Sequence, residues 1–410
     1  MSRCSSLAAC LVALSLLAVG PAGAGENALV ENPGRVLTGI DVLARDDFRA
    51  LAGQRVGLIT NHTGVDGQGV PTLRRLHDAA NVDLAVLFSP EHGLRGRLDV
   101  VRIADSEEEG TGLRVFSLYG DTRKPSSKML DGLDTLVFDI QDIGTRFYTY
   151  ISTLGLAMEA AAEAGLRFVV LDRPNPINGV DFAGPVTDPG SESFTAFHSL
   201  PVRHGMTVGE LAGLFRDERG LQLDLVVIRL QNWKRPMFYD ATGLRWINPS
   251  PNMRSLAQAL LYPGIGLLET TNLSVGRGTD TPFEVFGAPW LDERELALQL
   301  NGLDLPGVVF VPVRFTPDAS KFAGEECGGV NILVVNRETF QPVRTGLAIA
   351  RVLRTAHPER WELEAYAQLL VSERALTLLR DGAGVDDLEA AWSGELEAFR
   401  QRRARHLLYE

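Results

Sequence analysis

Between Arg55 and Pro174 short apolar runs alternate with helical segments, and this rhythm restricts the fold more than any other feature of the chain. Val56 to Thr60, Leu84 to Phe88, Leu113 to Leu118, Thr135 to Ile140 and Phe168 to Leu171 read as strands. Pro71 to Ala80 reads as a helix with proline in its first turn, and Tyr148 to Ala164 as a helix stopped by Gly165. Strands alternating with helices pair in parallel and carry helices on both faces, which predicts an α/β fold.

A second region, expected over residues 201–410 after a first over 25–200, has a different texture. Thr207 with Glu210 three residues on caps a helix to Arg216. Leu223 to Leu230, Val308 to Phe315 and Val330 to Val335 read as strands, and the tail from Thr345 reads as mostly helical. Residues 231–292 are rich in Gly, Pro, Asn and Trp and weakly periodic, and loops this long are uncommon unless functional. The pattern is that of an α+β domain. The basic cluster Arg400 to Arg405 reads as a solvated helix end.

Each strong strand of the first region runs into a polar motif. The first leads to Thr60-Asn61-His62-Thr63-Gly64 and the second to Ser89-Pro90-Glu91-His92-Gly93. The strand ending at Ile140 carries Asp139, Gln141 and Asp142, then Arg146 and Tyr148; the last leads to Asp172-Arg173-Pro174-Asn175. In a parallel sheet these ends point one way, so four motifs distant in sequence meet at the rim where open α/β sheets bind ligands. Each motif also has a plain structural reading as a cap, a turn or an i, i+4 pair. Glu91 is the candidate for proton transfer, because a carboxyl at an apolar strand end loses solvation, which favours its protonated form. His92 beside it orients a substrate hydroxyl or tunes the acid. Asn61-His62-Thr63 fits a glycosylation sequon, read here as coincidence.

The second region adds Asn248-Pro249-Ser250-Pro251-Asn252, then Glu269-Thr270-Thr271-Asn272 and Gly276-Arg277-Gly278. Amides and small residues with one acid suit a polyhydroxylated ligand. Trp290 offers a stacking face, and Trp246 reads as core. Gly276-x-Gly278 follows no strand and lacks a P-loop lysine, so no nucleotide site is expected. His62, His92 and His204 with Asp139 or Asp142 form the one metal-ligand set weighed; no pair has close helical spacing, so no metal and no cofactor are expected.

Net charge is −12 over 410 residues, which disfavours nucleic acid and anionic membrane surfaces as partners. Residues 1–24 read as a signal peptide: Arg3, an apolar run from Leu7 to Val19, then Ala22-Gly23-Ala24. That run is too short to span a bilayer, so no stable membrane insertion is expected and the chain reads as exported, periplasmic or secreted. Leu7-Ala8-Ala9-Cys10 resembles a lipoprotein box but falls at the start of the run, not its end. Cys4 and Cys10 leave with the signal, so Cys327 remains alone and reads as a small residue beside a strand.

Taken with their surroundings, these motifs resemble a known family. Residues 57–64, 88–96, 138–150, 171–176, 248–253 and 269–279 are similar to segments of the exo-β-N-acetylmuramidase family, and the likeness runs from about residue 35 to the end. The resemblance implies a Rossmann-like first domain, a second domain and an active-site cleft between them. It implies release of N-acetylmuramic acid from the non-reducing end of peptidoglycan-derived muropeptides or disaccharides, with Glu91 at the glutamate used in catalysis. Glycoside hydrolysis needs an acid for the leaving oxygen and a second group for the cationic sugar. Glu91 suits the first role; Glu269, Asp139, Asp142 or the substrate's own N-acetyl group suits the second. Arg146 or Arg277 offers a bidentate fork for the lactyl carboxylate of muramic acid. Two rivals are a metal-dependent hydrolase or deacetylase of cell-wall sugars and a non-catalytic muropeptide-binding protein.

Overall fold

The structure is a computed structural model and describes residues 34–410; the signal-peptide assignment lies outside them. Arg35–Glu410 forms one compact unit. Its centre is a seven-stranded sheet made of β1 (Arg55–Thr60), β2 (Asp83–Ser89), β3 (Ser106–Glu107), β4 (Arg114–Ser117), β5 (Thr135–Asp139), β6 (Arg167–Leu171) and β9 (Leu225–Ile228). The order is β3-β4-β2-β1-β5-β6-β9, and all pairs except β3–β4 are parallel. The chain winds outward from β1 to one side, returns, and winds outward to the other, which is a Rossmann-like doubly wound topology. The sheet's last strand lies beyond residue 200, inside the second region of the sequence reading.

Burial explains why the strands were readable. Five of six residues of β1 and all five of β5 are buried, as expected where helices cover both faces. The helices are α1 (Gly39–Arg45), α2 (Thr72–Asp78), α3 (Tyr150–Ala164) and α4 (Val208–Glu218). Gly165 ends α3 in the left-handed conformation, φ 68°. Thr207 and Glu210 form the capping box expected at α4.

The hairpin of β7 (Ala183–Val186) and β8 (Pro201–Arg203) straddles the start of the second region. There a three-stranded antiparallel sheet, order β10-β12-β11, is built from β10 (Val285–Ala288), β11 (Val308–Phe315) and β12 (Cys327–Val334). The region also carries α5 (Leu256–Ile265), α6 (Glu293–Asn301), which packs on β11 and β12, α7 (Pro342–Ala356), α8 (Leu363–Leu370), α9 (Glu373–Arg380), α10 (Val385–Ala391) and α11 (Ser393–Ala404). The weakly periodic stretch therefore holds α5 and β10. Cys327 is fully buried and burial pushes its thiol up to about 11, so it behaves as a small apolar residue. Among the described residues no helix is long and apolar enough to cross a membrane.

Candidate active site

The strand ends do converge, but most of the motif side chains bind one another. Asp139 is fully buried, with Oδ1 accepting from Arg173 Nε at 2.5 Å and Oδ2 from Arg173 Nη2 at 2.9 Å and from Thr72. Both oxygens are held by the scaffold, so Asp139 meets no sugar. Asn61, 3% exposed, turns its Oδ1 back to the Thr63 N–H and hydroxyl. Gln141 donates to the carbonyls of Asp142 and Pro174. Asp142 accepts from Gly144 N and lies 3.2 Å from His204. Asp172 accepts from Gly209 N, Thr207 and Tyr409, and burial pushes its carboxyl up to about 6. Asn175 bonds Met206 O and Ile177 N. Thr63, Gln141 and Arg173 line a separate cavity of about 200 Å³.

Two further candidates are displaced for the same reason. Arg146 is wholly buried, and its guanidinium donates to the carbonyls of Pro185, Leu200, Leu369 and Leu370 at 2.7–3.0 Å. It fastens the loop after β5 to α8 through both Nη groups, and it is buried outside the crevice, out of reach of a substrate carboxylate. Asn272 is bonded to Arg360 O and Glu362 N. His62 Nε2 lies 2.7 Å from Asn248 O and pins the two regions together. Trp290 packs edge-on to His357 and Trp246 to Tyr239. Among the described residues no three His, Cys, Asp or Glu side chains stand close enough to hold a metal ion.

What remains of the predicted set gathers in one crevice of about 360 Å³. Glu91, His92 and Tyr148 enter from the carboxyl edge of the sheet, and Asn252, Glu269 and Arg277 from the second region. Pro90 ends β2 at the rim, so the next two side chains leave the sheet. His92 then takes the left-handed region, φ 69°, and its Nδ1 lies 2.7 Å from Leu98 O. Glu91 is half-buried and accepts from the hydroxyl of Thr149, the residue preceding α3. Tyr119 stands on the other flank. Burial, then the Glu91 carboxylate beside it, push its phenol up to about 12, so it stays a hydrogen-bond donor at any working pH.

Glu269 and Asp99 hold Arg277 between them, from Nη1 to Glu269 and from Nη2 to Asp99 at 2.6 Å. Burial opposes its charge, yet these two carboxylates raise its pKa above the ordinary arginine value. Lys321 Nζ donates to the Glu269 carbonyl. Tyr148, Tyr150, Tyr262, Phe147 and Phe283 form an aromatic wall, with Tyr148 and Tyr150 edge to face at 5.0 Å. The sequence reading missed Thr149, Tyr119 and Asp99. Thr149 stood inside the 138–150 motif, whereas Tyr119 and Asp99 carried no pattern of their own.

A Rossmann-like sheet with a hydrogen-bonded carboxyl at its carboxyl edge, facing a second domain that supplies another acid and a guanidinium, offers the pair of carboxyls that an enzyme of the glycoside-hydrolase class uses. The comparisons specify which one: residues 56–257 match the N-terminal and residues 260–409 the C-terminal domain of exo-beta-N-acetylmuramidase NamZ, and the chain belongs to that family. It is 42% identical over 379 residues, 92% of each chain, to the peptidoglycan beta-N-acetylmuramidase NamZ of Bacillus subtilis (strain 168). A crystal structure of a DUF1343 family protein from Bacteroides fragilis NCTC 9343 superposes with TM-score 0.86 at 39% identity, covering 92% of this chain and all of that one. A second from the same organism gives 0.75 at 29% identity, over 92% of this chain and 99% of the other.

Proposed function

We propose that this chain releases N-acetylmuramic acid from the non-reducing end of peptidoglycan fragments, with Glu91 as general acid and base. The observation that carries the reading is Glu91 itself, set in the crevice between a Thr149 hydroxyl and the Tyr119 phenol. A crevice of about 360 Å³ is at the small end of ligand sites, ~300–1,000 Å³, which suits one terminal sugar ring better than a run of glycan.

In this mechanism Glu91 gives its proton to the glycosidic oxygen as the C1–O bond breaks. The developing oxocarbenium ion is met by Glu269 or by the sugar's own N-acetyl oxygen. Glu91, now ionised, takes a proton from the water whose oxygen bonds to C1 as the bond from C1 to the Glu269 or N-acetyl oxygen breaks, which returns that group unchanged. Asp139 and Asp142, bound within the scaffold, take no part. Arg277, which lines the crevice, is the carboxylate holder; Arg146 is wholly buried outside it.

Export is part of the same proposal. It rests on the leading apolar run from Leu7 to Val19, followed by Ala22-Gly23-Ala24, and on a substrate that lies outside the cytoplasm. The test is incubation of the mature protein with a β-linked N-acetylmuramyl–N-acetylglucosamine disaccharide, with and without chelator, beside Glu91→Gln. Free N-acetylmuramic acid, insensitive to chelator and absent with Glu91→Gln, is the expected result. Saturable binding without product, or activity lost on chelation, contradicts it.

A further inference from the structure

Arg277 reaches its carboxylate partners from opposite sides of the crevice. Glu269 comes from its own domain, eight residues earlier in sequence. Asp99 comes from the loop that follows Glu91 and His92. That loop opens with left-handed backbone at His92, Gly93 and Gly96, φ 69°, 74° and 63°, and it brings Asp99 to the crevice lining. At its far side Asp99 Oδ2 sits 2.6 Å from Arg277 Nη2 and 3.2 Å from Asn252 Nδ2. Leu98 is tied at its backbone to His92, with Leu98 O 2.7 Å from His92 Nδ1, but beyond it Val100 and Val101 are 51% and 93% exposed and leave Asp99 free to swing.

The two ion pairs differ in strength. Asp99 is 45% exposed and Arg277 27%, whereas Glu269 is 21% exposed. A pair with one partner this open to water contributes little to stability, so it exchanges readily. A substrate carboxylate arriving at Arg277 finds both guanidinium edges occupied and two negative charges facing it. Displacing Glu269 breaks the less exposed pair; displacing Asp99 breaks the weaker one and needs only a loop movement.

We propose that Asp99 is a specificity-determining residue: its carboxylate occupies the place on Arg277 that the carboxylate of an acid-bearing sugar takes, and such a sugar binds by exchanging with it. The proposal rests on Arg277 as the carboxylate holder. A neutral sugar gains nothing from the exchange and leaves the loop where it is. The exchange keeps Arg277 paired throughout, which avoids leaving a partly buried cation without an anion.

The experiment measures dissociation constants of N-acetylmuramic acid and N-acetylglucosamine by calorimetry for the full mature chain, Asp99→Asn and Arg277→Ala. Asp99 is exposed enough that its amide variant folds. Asp99→Asn is expected to bind N-acetylmuramic acid about two- to tenfold more tightly, as loss of an exposed competing pair and one repelling charge requires. Its affinity for N-acetylglucosamine should not move. Arg277→Ala should weaken N-acetylmuramic acid selectively. If Arg277→Ala behaves so but Asp99→Asn weakens or leaves unchanged the acid sugar, the exchange is overturned and the Arg277 assignment stands. If Arg277→Ala has no selective effect, both fall.

Discussion

Arg146 and Arg277 look equivalent in the sequence, each an arginine within a polar motif, and the structure gives them opposite tasks. Arg146 has no carboxylate within salt-bridge distance among the described residues, and burial pulls its pKa down to about 9. Its charge is solvated by four carbonyls in place of water. Arg146→Lys cannot reproduce that fork and should lower stability by ~2–4 kcal/mol, read as a shift in the denaturant midpoint, because buried acceptors lose their donors. The KM of the folded fraction should stay near that of the parent; a selective rise in KM would return Arg146 to the carboxylate site. Sequence reasoning found the residues at the strand ends, Glu91 above all, because an apolar run followed by proline and an acid is a local signal. It did not separate side chains that face the crevice from those that face each other. Asp139 and Glu269 are each held by an arginine, Arg173 from the next strand end and Arg277 from eight residues further along, but Asp139 is fully buried and Glu269 lines the crevice.

Among the elements, the parallel strands were the most legible, since burial on both faces writes a continuous apolar run. Helix α5 was not. Pro263 lies inside it and Gly264 and Gly266 follow, all signs of a loop, although Ser255 caps it in the ordinary way. The reason is tertiary: a Cβ on Gly264 would lie 2.0 Å from Pro342 O, and one on Gly346 2.5 Å from Gly264 O, so α5 and α7 cross backbone to backbone. Long-range packing overrides local propensity there. A second long-range contact ties α4 to α11. Glu218 of α4 binds Arg402 of α11 at 2.6 Å and His198 at 2.6 Å. Burial works against its charge, but these bonds hold its carboxyl down to about 2, below an ordinary 4.5. A depressed acid stabilises the fold above its unfolded pKa and loses that contribution as pH falls toward the folded value. Glu218→Gln should therefore cost ~1–2 kcal/mol at pH 7, after allowance for partial exposure, and progressively less between pH 4.5 and 2. Equal losses at pH 7 and pH 3 would contradict the assignment.

Over the whole molecule the two regions of the sequence are not separable. Arg146 joins the loop after β5 to α8. The C-terminal Tyr409 donates to Asp172 at the end of β6, at 2.5 Å, and Glu410 O accepts from Arg235 N. His62 and Tyr150 reach across to the carbonyls of Asn248 and Pro249. Such interlocking predicts one cooperative unfolding transition for Arg35–Glu410, with far-ultraviolet dichroism and tryptophan fluorescence coincident; two resolved transitions would show that the halves fold independently. It also explains why no boundary was visible in composition, for the strand that completes the first sheet and the tail that seals it lie far along the chain. The crevice exists only because both regions build it.

The role of Glu91 is tested most directly by comparing leaving groups. A general acid matters most when the departing oxygen is a poor leaving group. Glu91→Gln should lower kcat/KM on the disaccharide by ~100-fold or more, and far less on an aryl β-N-acetylmuramide whose phenolate departs without a proton. Equal losses on both substrates, or wild-type rates on the disaccharide, would contradict the assignment of Glu91 as the proton donor.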